Sequence, residues 1–207
     1  LVRNLEAGEI VAQILLSKDI LNDWKKEGRR LTNIVFMGMG EPFFNYENVA
    51  KAVTILNDAE GLDFAARRIT ISTSGLVPEI LRCSNELKTS LAISLHATND
   101  ALRSDIMAIN KKYPLKDLLG ACKNYNQQNP GKKVTFEYVL LKGVNDQEQH
   151  ARELISLIKK FNLNAKINLI PFNKWKGCGY EPSSLDQIDK FQKILKNANL
   201  IAPIRKT

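Results

Sequence analysis

What most constrains this chain is an alternation. Short apolar runs, each closing on glycine, serine, histidine or asparagine, take turns with amphipathic stretches of about three helical turns. The runs are Ile34–Met37, Arg68–Ser72, Ser90–His96, Val134–Leu141 and Lys166–Pro171, with a last one at Leu200–Ile204. Between them the spacing predicts helices over 46–58, 78–88, 99–106, 115–127, 145–161 and 184–197. A leading helix is expected from an Asn4 cap to Trp24, with Ile10, Val11, Ile14, Leu15, Leu21 and Trp24 buried and Gly28 closing it behind Lys25 and Lys26. Asn45, Asn145 with Glu148, and Ser184 with Gln187 read as helix starts, and Asn129-Pro130-Gly131 as a stop. Strands that alternate with helices build β-α units and a parallel sheet, so the fold class is α/β, either an open sheet or a full or partial barrel.

The polar residues that end these runs share one position. Gly40 and Glu41 follow the first run, Ser72 and Ser74 end the second, Ser94 and His96 end the third, Asn145 follows the fourth and Asn173 the fifth. In a parallel sheet all of these fall on the carboxyl edge, where such folds place their active sites. The first run, Ile34–Met37, is apolar throughout and reads as a strand buried on both faces. It opens into Gly38-Met39-Gly40-Glu41-Pro42, where glycine lets backbone approach a ligand and Pro42 keeps Glu41 extended. Along Ser90–His96 the alternation sets Leu91, Ile93 and Leu95 on one side and Ala92, Ser94 and His96 on the other. That division suits a barrel whose mouth holds a polar ligand. Glu137 faces the interior by the same rule and is expected to pair with a Lys or Arg; His150 reads as a surface residue.

Length and a 44% hydrophobic share allow one domain over 1–207, and no apolar run is long enough for a membrane span. Thirty Lys and Arg against 22 Asp and Glu give a formal charge of +8, spread as pairs that permit a polyanionic partner such as RNA without requiring one. Cys83, Cys122 and Cys178 are odd in number, far apart and in no C-x-x-C spacing. They form neither a disulfide framework nor a metal set, which fits a reducing cytoplasm.

Six phrases then carry a resemblance: GMGEP (Gly38–Pro42), ITISTSG (Ile69–Gly75), ISLHA (Ile93–Ala97), EYVLLKGVND (Glu137–Asp146), NLIPFN (Asn168–Asn173) and the terminal IRKT. In order and spacing they resemble the RlmN/Cfr family of radical S-adenosylmethionine (SAM) RNA methyltransferases. The resemblance implies a partial (β/α) barrel of parallel strands that binds SAM through Gly40, Glu41, Ser72, Ser94, Leu95, His96 and Asn173. It also implies methylation of adenine C2 in 23S rRNA, at the peptidyl transferase centre, and in tRNA. A 4Fe-4S cluster fed by an electron donor would start that chemistry in a cytoplasmic, monomeric enzyme. The family's cluster cysteines would precede Leu1 and its methyl-carrying cysteine would follow Thr207. Residues 1–207 are therefore expected to be an inactive core fragment, with no catalytic or metal-binding residue of its own.

Two other readings stay open at this stage. One is a C8-directed relative or another radical SAM enzyme, against which Pro42 argues because Ala is expected there. The other is a basic RNA-binding module without chemistry.

Overall fold

The structure, a computed structural model, describes residues 2–25 and 28–205. Leu1, Lys26, Lys206 and Thr207, which entered the readings of the chain start, the Lys25/Lys26 pair and the IRKT phrase, lie outside the described residues.

β1 (Ile34–Phe36), β2 (Ile69–Thr73), β3 (Ser90–Ser94), β4 (Val134–Leu140) and β5 (Ala165–Pro171) form one parallel sheet whose neighbours follow chain order. Parallel crossovers are right-handed, so an order without reversal lays all the connecting helices on one face. This is the winding of a barrel, not of a doubly wound sheet, whose order reverses at its middle. The helices are α1 (Ala7–Leu21), α2 (Tyr46–Asn57), α3 (Val77–Glu86), α4 (Asp100–Ile106), α5 (Leu115–Gln128), α6 (Glu148–Lys160) and α7 (Leu185–Asn197). α1 packs on α2, α3 on α5 and α6 on α7. Among the described residues no helix is long and apolar enough to cross a membrane.

The two faces of the sheet differ in chemistry. Ile69 and Ile71 of β2, Leu91 and Ile93 of β3, Phe136 of β4 and Ile167 of β5 are fully buried. Strand alternation turns the residues between them to the opposite face. There the register aligns Ser72 with Ala92, and Ser94 with Glu137 and then Asn168. Small and hydrogen-bonding side chains thus line the inner face, and bulky apolar ones meet the helices.

The structure revises several local expectations. α1 starts later than Asn4, because Glu6 and Glu9 form a reciprocal capping box, and it ends at Asn22 in the left-handed region well before Gly28. Of its predicted face Val11 is buried, whereas Leu15 and Trp24 are exposed. β1 is not buried on both faces: it is an edge strand, and Val35 remains 51% exposed. Asn45 stands at the start of α2 without a side-chain cap bond and donates to the Leu5 carbonyl at 2.7 Å instead. Leu200–Ile204 forms a parallel bridge to β5 and not a full strand. Ile167 donates to the Ile201 carbonyl, but Pro203 has no N–H to donate back to the Ile167 carbonyl, which interrupts the ladder. Ser184, by contrast, caps α7 through Gln187 N–H as its sequence indicates.

Candidate functional site

Beyond β1 the chain must turn at once, and Gly38 (φ +127°) and Gly40 (φ +99°) take backbone conformations that a side chain would strain. Glu41 then returns to extended geometry, φ −121° and ψ 111°, as its neighbour Pro42 requires. Its carboxylate is no loose surface charge. It accepts from Ser74 N–H and Ser74 Oγ, each at 2.7 Å, and from Phe43 N–H at 3.1 Å. Glu41 therefore fastens the glycine turn to the end of β2, while its own carbonyl starts the short 3₁₀ turn by accepting from Phe44 N–H.

β3 ends sooner than its apolar pattern suggests. After Ser94 the regular pairing stops, and His96 sits at φ +58°, a region a β-carbon disfavours. Two contacts hold it there: its carbonyl accepts from Asn145 Nδ2 at 2.8 Å and its Nδ1 accepts from Val139 N–H at 3.2 Å. Burial, reinforced by the nearby Arg103 cation, pushes the His96 pKa down to about 4, with its bond toward the Glu137 backbone opposing weakly. With Nδ1 accepting, the neutral ring carries its proton on Nε2.

Asn145 was expected to cap a helix, and the structure corrects this. The amide is fully buried, accepting from Leu141 N–H and donating to the carbonyls of His96 and Val139, so α6 is capped by Gln147 with His150. Glu137 also departs from expectation: its partner is the neutral Asn168 amide, 2.7 Å away, and not a Lys or Arg. The inner face aligns these two residues across the β4–β5 ladder, within reach of each other. Burial raises the Glu137 pKa, with the Asn168 bond and the Arg205 charge pulling the other way.

These groups enclose a cavity of about 250 Å³ at the carboxyl edge. Gly40, Glu41, Ser72, Ser94 and His96 line it, together with Glu137 and Arg205. A larger hollow of about 550 Å³ beside β1 shares Met37, Gly40, Glu41 and Pro42 with it as a common wall. Two sequence candidates stand apart. Leu95 is fully buried, its N–H bonded to the Glu137 carbonyl and its carbonyl to Arg103, and Asn173 is exposed beyond β5, outside the cavity lining. Sequence reasoning missed Arg103, a fully buried arginine on α4, because between Asp100 and Asp105 it looks like an ordinary surface charge.

Among the described residues no group of three or more His, Cys, Asp or Glu is placed to hold a metal ion. Cys83 and Cys122 are buried, and burial pushes their thiols up to about 11 and about 12. The donor set of the described residues therefore does not fit an iron–sulfur cluster.

Residues 9–155 match the model of the Radical SAM superfamily, and the chain belongs to that superfamily. It is 51% identical to the dual-specificity RNA methyltransferase RlmN of Chelativorans sp. over 216 residues, which covers 99% of this chain and 52% of that protein. It is 52% identical to the protein of the same name from Rhodospirillum rubrum, covering 99% of this chain and 48% of that one. The chain thus spans about half the length of the curated relatives it matches. A radical SAM methyltransferase structure from Sphaerobacter thermophilus superposes with a TM-score of 0.91 at 46% identity, covering 99% of this chain and 59% of that one. A domain of a pyruvate-formate lyase-activating enzyme from Bacteroides vulgatus reaches 0.61 at 18% identity, covering 84% of this chain and 99% of that one, and shows the fold alone.

Proposed function

We propose that this chain is the cofactor-binding core of a radical SAM RNA methyltransferase that methylates C2 of adenine in 23S rRNA, at the peptidyl transferase centre, and in tRNA. One observation carries the reading. Gly40, Glu41, Ser72, Ser94 and His96, contributed by the ends of three successive strands, line a single polar cavity on the sheet edge where parallel α/β folds bind ligands. Similarity to proteins named RlmN supports the choice of RNA as substrate.

The cavity's chemistry suits SAM. A zwitterionic amino acid joined to a ribose needs donors and acceptors of both kinds, and the hydroxyls of Ser72 and Ser94, the His96 Nε2–H and the glycine backbone at Gly40 supply them. Arg205 and Glu137 offer opposite charges to the two ends of the amino-acid moiety. Glu41, with its carboxylate already committed to Ser74 and Phe43, shapes the glycine turn, so backbone at Gly40 makes the contact. Leu95 and Asn173 would contribute from the margins, Leu95 by holding the strand end and Asn173 from the loop after β5. When bound, SAM supplies the methyl group and the radical precursor; this chain's residues hold it and exclude water.

The 4Fe-4S cluster that goes with this chemistry would take ligands from outside 1–207, so the chain alone would be inactive. A cytoplasmic monomer supplied by an electron donor completes the reading. The test uses full-length protein: equilibrium binding of labelled SAM, then mass spectrometry of rRNA and tRNA from a strain that lacks the gene. Loss of 2-methyladenine is expected. A missing 8-methyladenine would instead indicate a C8-directed enzyme, and RNA binding without SAM affinity would favour a non-catalytic module.

A further inference from the structure

Arg103 is the largest fully buried side chain of the core, and among the described residues no carboxylate forms an ion pair with it. A guanidinium taken out of water without an acid is costly, so its hydrogen bonds must be many and well aimed. They converge on two adjacent strand ends. Nη2 donates to the Ser74 carbonyl at 2.7 Å, just past β2, and to the Ser94 carbonyl at 2.9 Å, the last residue of β3. Nε donates to the Leu95 carbonyl at 3.1 Å, and Nη1 to Asn110 Oδ1 at 3.0 Å.

Asn110 is itself fixed, donating to the Asp100 carbonyl, the Asp100 carboxylate and Ser104 Oγ. Gly75 leaves room for the fork: a β-carbon there would stand 3.3 Å from Nη2, and its φ of +119° disfavours a side chain as well. Ser74 carries the load onward, since its N–H and Oγ both bond to Glu41. A single planar donor set on α4 thus links the glycine turn, the end of β2 and the end of β3, three elements that face the cavity while Arg103 does not line it.

We propose that Arg103 is a positioning residue that fixes the relative placement of Ser74, Ser94 and Leu95, and so the geometry of the SAM cavity. The proposal rests on the reading of that cavity as a SAM site. An aliphatic residue could fill the same volume, but it could not hold three carbonyls of two strands in one plane. Lysine keeps the charge yet, with one ammonium nitrogen, cannot reproduce the fork.

The first test needs no variant. In the full-length protein, hydrogen exchange with and without SAM is expected to show added protection at 72–75 and 94–97, and also at 100–106 on α4. Protection of the strand ends without α4 overturns the positioning role, whereas no protection at the strand ends means that the cavity is not the SAM site. The second test compares SAM affinity in folded Arg103→Met, folded Arg103→Lys and wild type, with thermal stability measured in parallel. Displaced strand ends weaken binding by roughly tenfold to a hundredfold in Arg103→Met, with partial recovery in Arg103→Lys. Wild-type affinity in a folded Arg103→Met, or in Arg103→Lys if only that variant folds, refutes the proposal; lowered stability alone does not support it.

Discussion

His96 gives the sharpest quantitative test, because one side chain carries both the strained backbone and the shifted protonation of the cavity. In the unfolded chain it titrates near its ordinary value of 6.5; in the fold, burial and Arg103 push that down to about 4. The unfolded state therefore binds the proton first, and stability is fully present above pH 6.5 and lost as pH falls toward 4. The whole difference corresponds to about 3 kcal/mol, of which about 2 kcal/mol is lost between pH 7 and pH 5. Glu137 works against this: its raised pKa makes it take up a proton earlier in the fold than in the unfolded chain, which adds stability as pH falls. A control that removes only the histidine is therefore needed. His96→Asn serves, because asparagine tolerates the left-handed backbone and does not titrate. Urea unfolding of wild type and variant at pH 7 and pH 5 should show wild type losing about 2 kcal/mol more than the variant over that interval. Equal losses, or a His96 ring that titrates near 6.5 by NMR, would refute the account of the site's electrostatics.

Asn145→Ala removes the acceptor for Leu141 N–H and the donors to His96 and Val139, all buried; a loss of about 2–4 kcal/mol is expected in chemical denaturation, and a loss below about 1 kcal/mol would contradict it. Ser94→Val keeps strand preference but removes a hydroxyl from the cavity, so full-length protein should lose SAM affinity while its melting temperature stays near wild type; unchanged affinity would mislocate the site. Cys178, half-buried on a loop, should react with a thiol reagent at pH 8 well before Cys83 and Cys122, whose thiols burial holds protonated; peptide mapping by mass spectrometry checks the order.

The sequence made legible what depends on local pattern. The five strands, their helices, the Ser184 cap and the polar strand ends at Ser72 and Ser94 all follow from period, punctuation and alternation. It failed where partners lie far along the chain. Asn145 looked like a cap because Glu148 stands three residues on, yet its hydrogen bonds go back to 96, 139 and 141. Glu137 was assigned a cation, since nothing local says that Asn168 of the next strand lies beside it in register. Leu95 joined the site by its place in a motif, and alternation already warned that it shares the side of Leu91 and Ile93. The exposure of Val35 had no signal either: a run of apolar residues looks the same in a central strand and at an edge.

What gathers at the carboxyl edge is a solution to one problem. When parallel strands end, their last N–H and carbonyl groups lose ladder partners, and a loop that must leave space for a ligand cannot fold back to satisfy them. Here side chains do so: Arg103 takes the carbonyls of Ser74, Ser94 and Leu95, Asn145 those of Val139 and His96, and Glu41 the N–H of Ser74. His96 adds backbone strain at this edge. Positive φ at Asn22, Lys88, Asn162 and Asn199 follows the ends of α1, α3, α6 and α7, an ordinary way for helices to stop, and Asp63 takes it in the turn that leads to β2. His96 follows a strand, where no helix end sets the turn, and it stays in place because Asn145 and Val139 hold it on either side. A residue held against its preference at a polar cavity is costly as packing and useful as preorganisation, since Val139 and Asn145 already fix its ring and backbone before any ligand arrives.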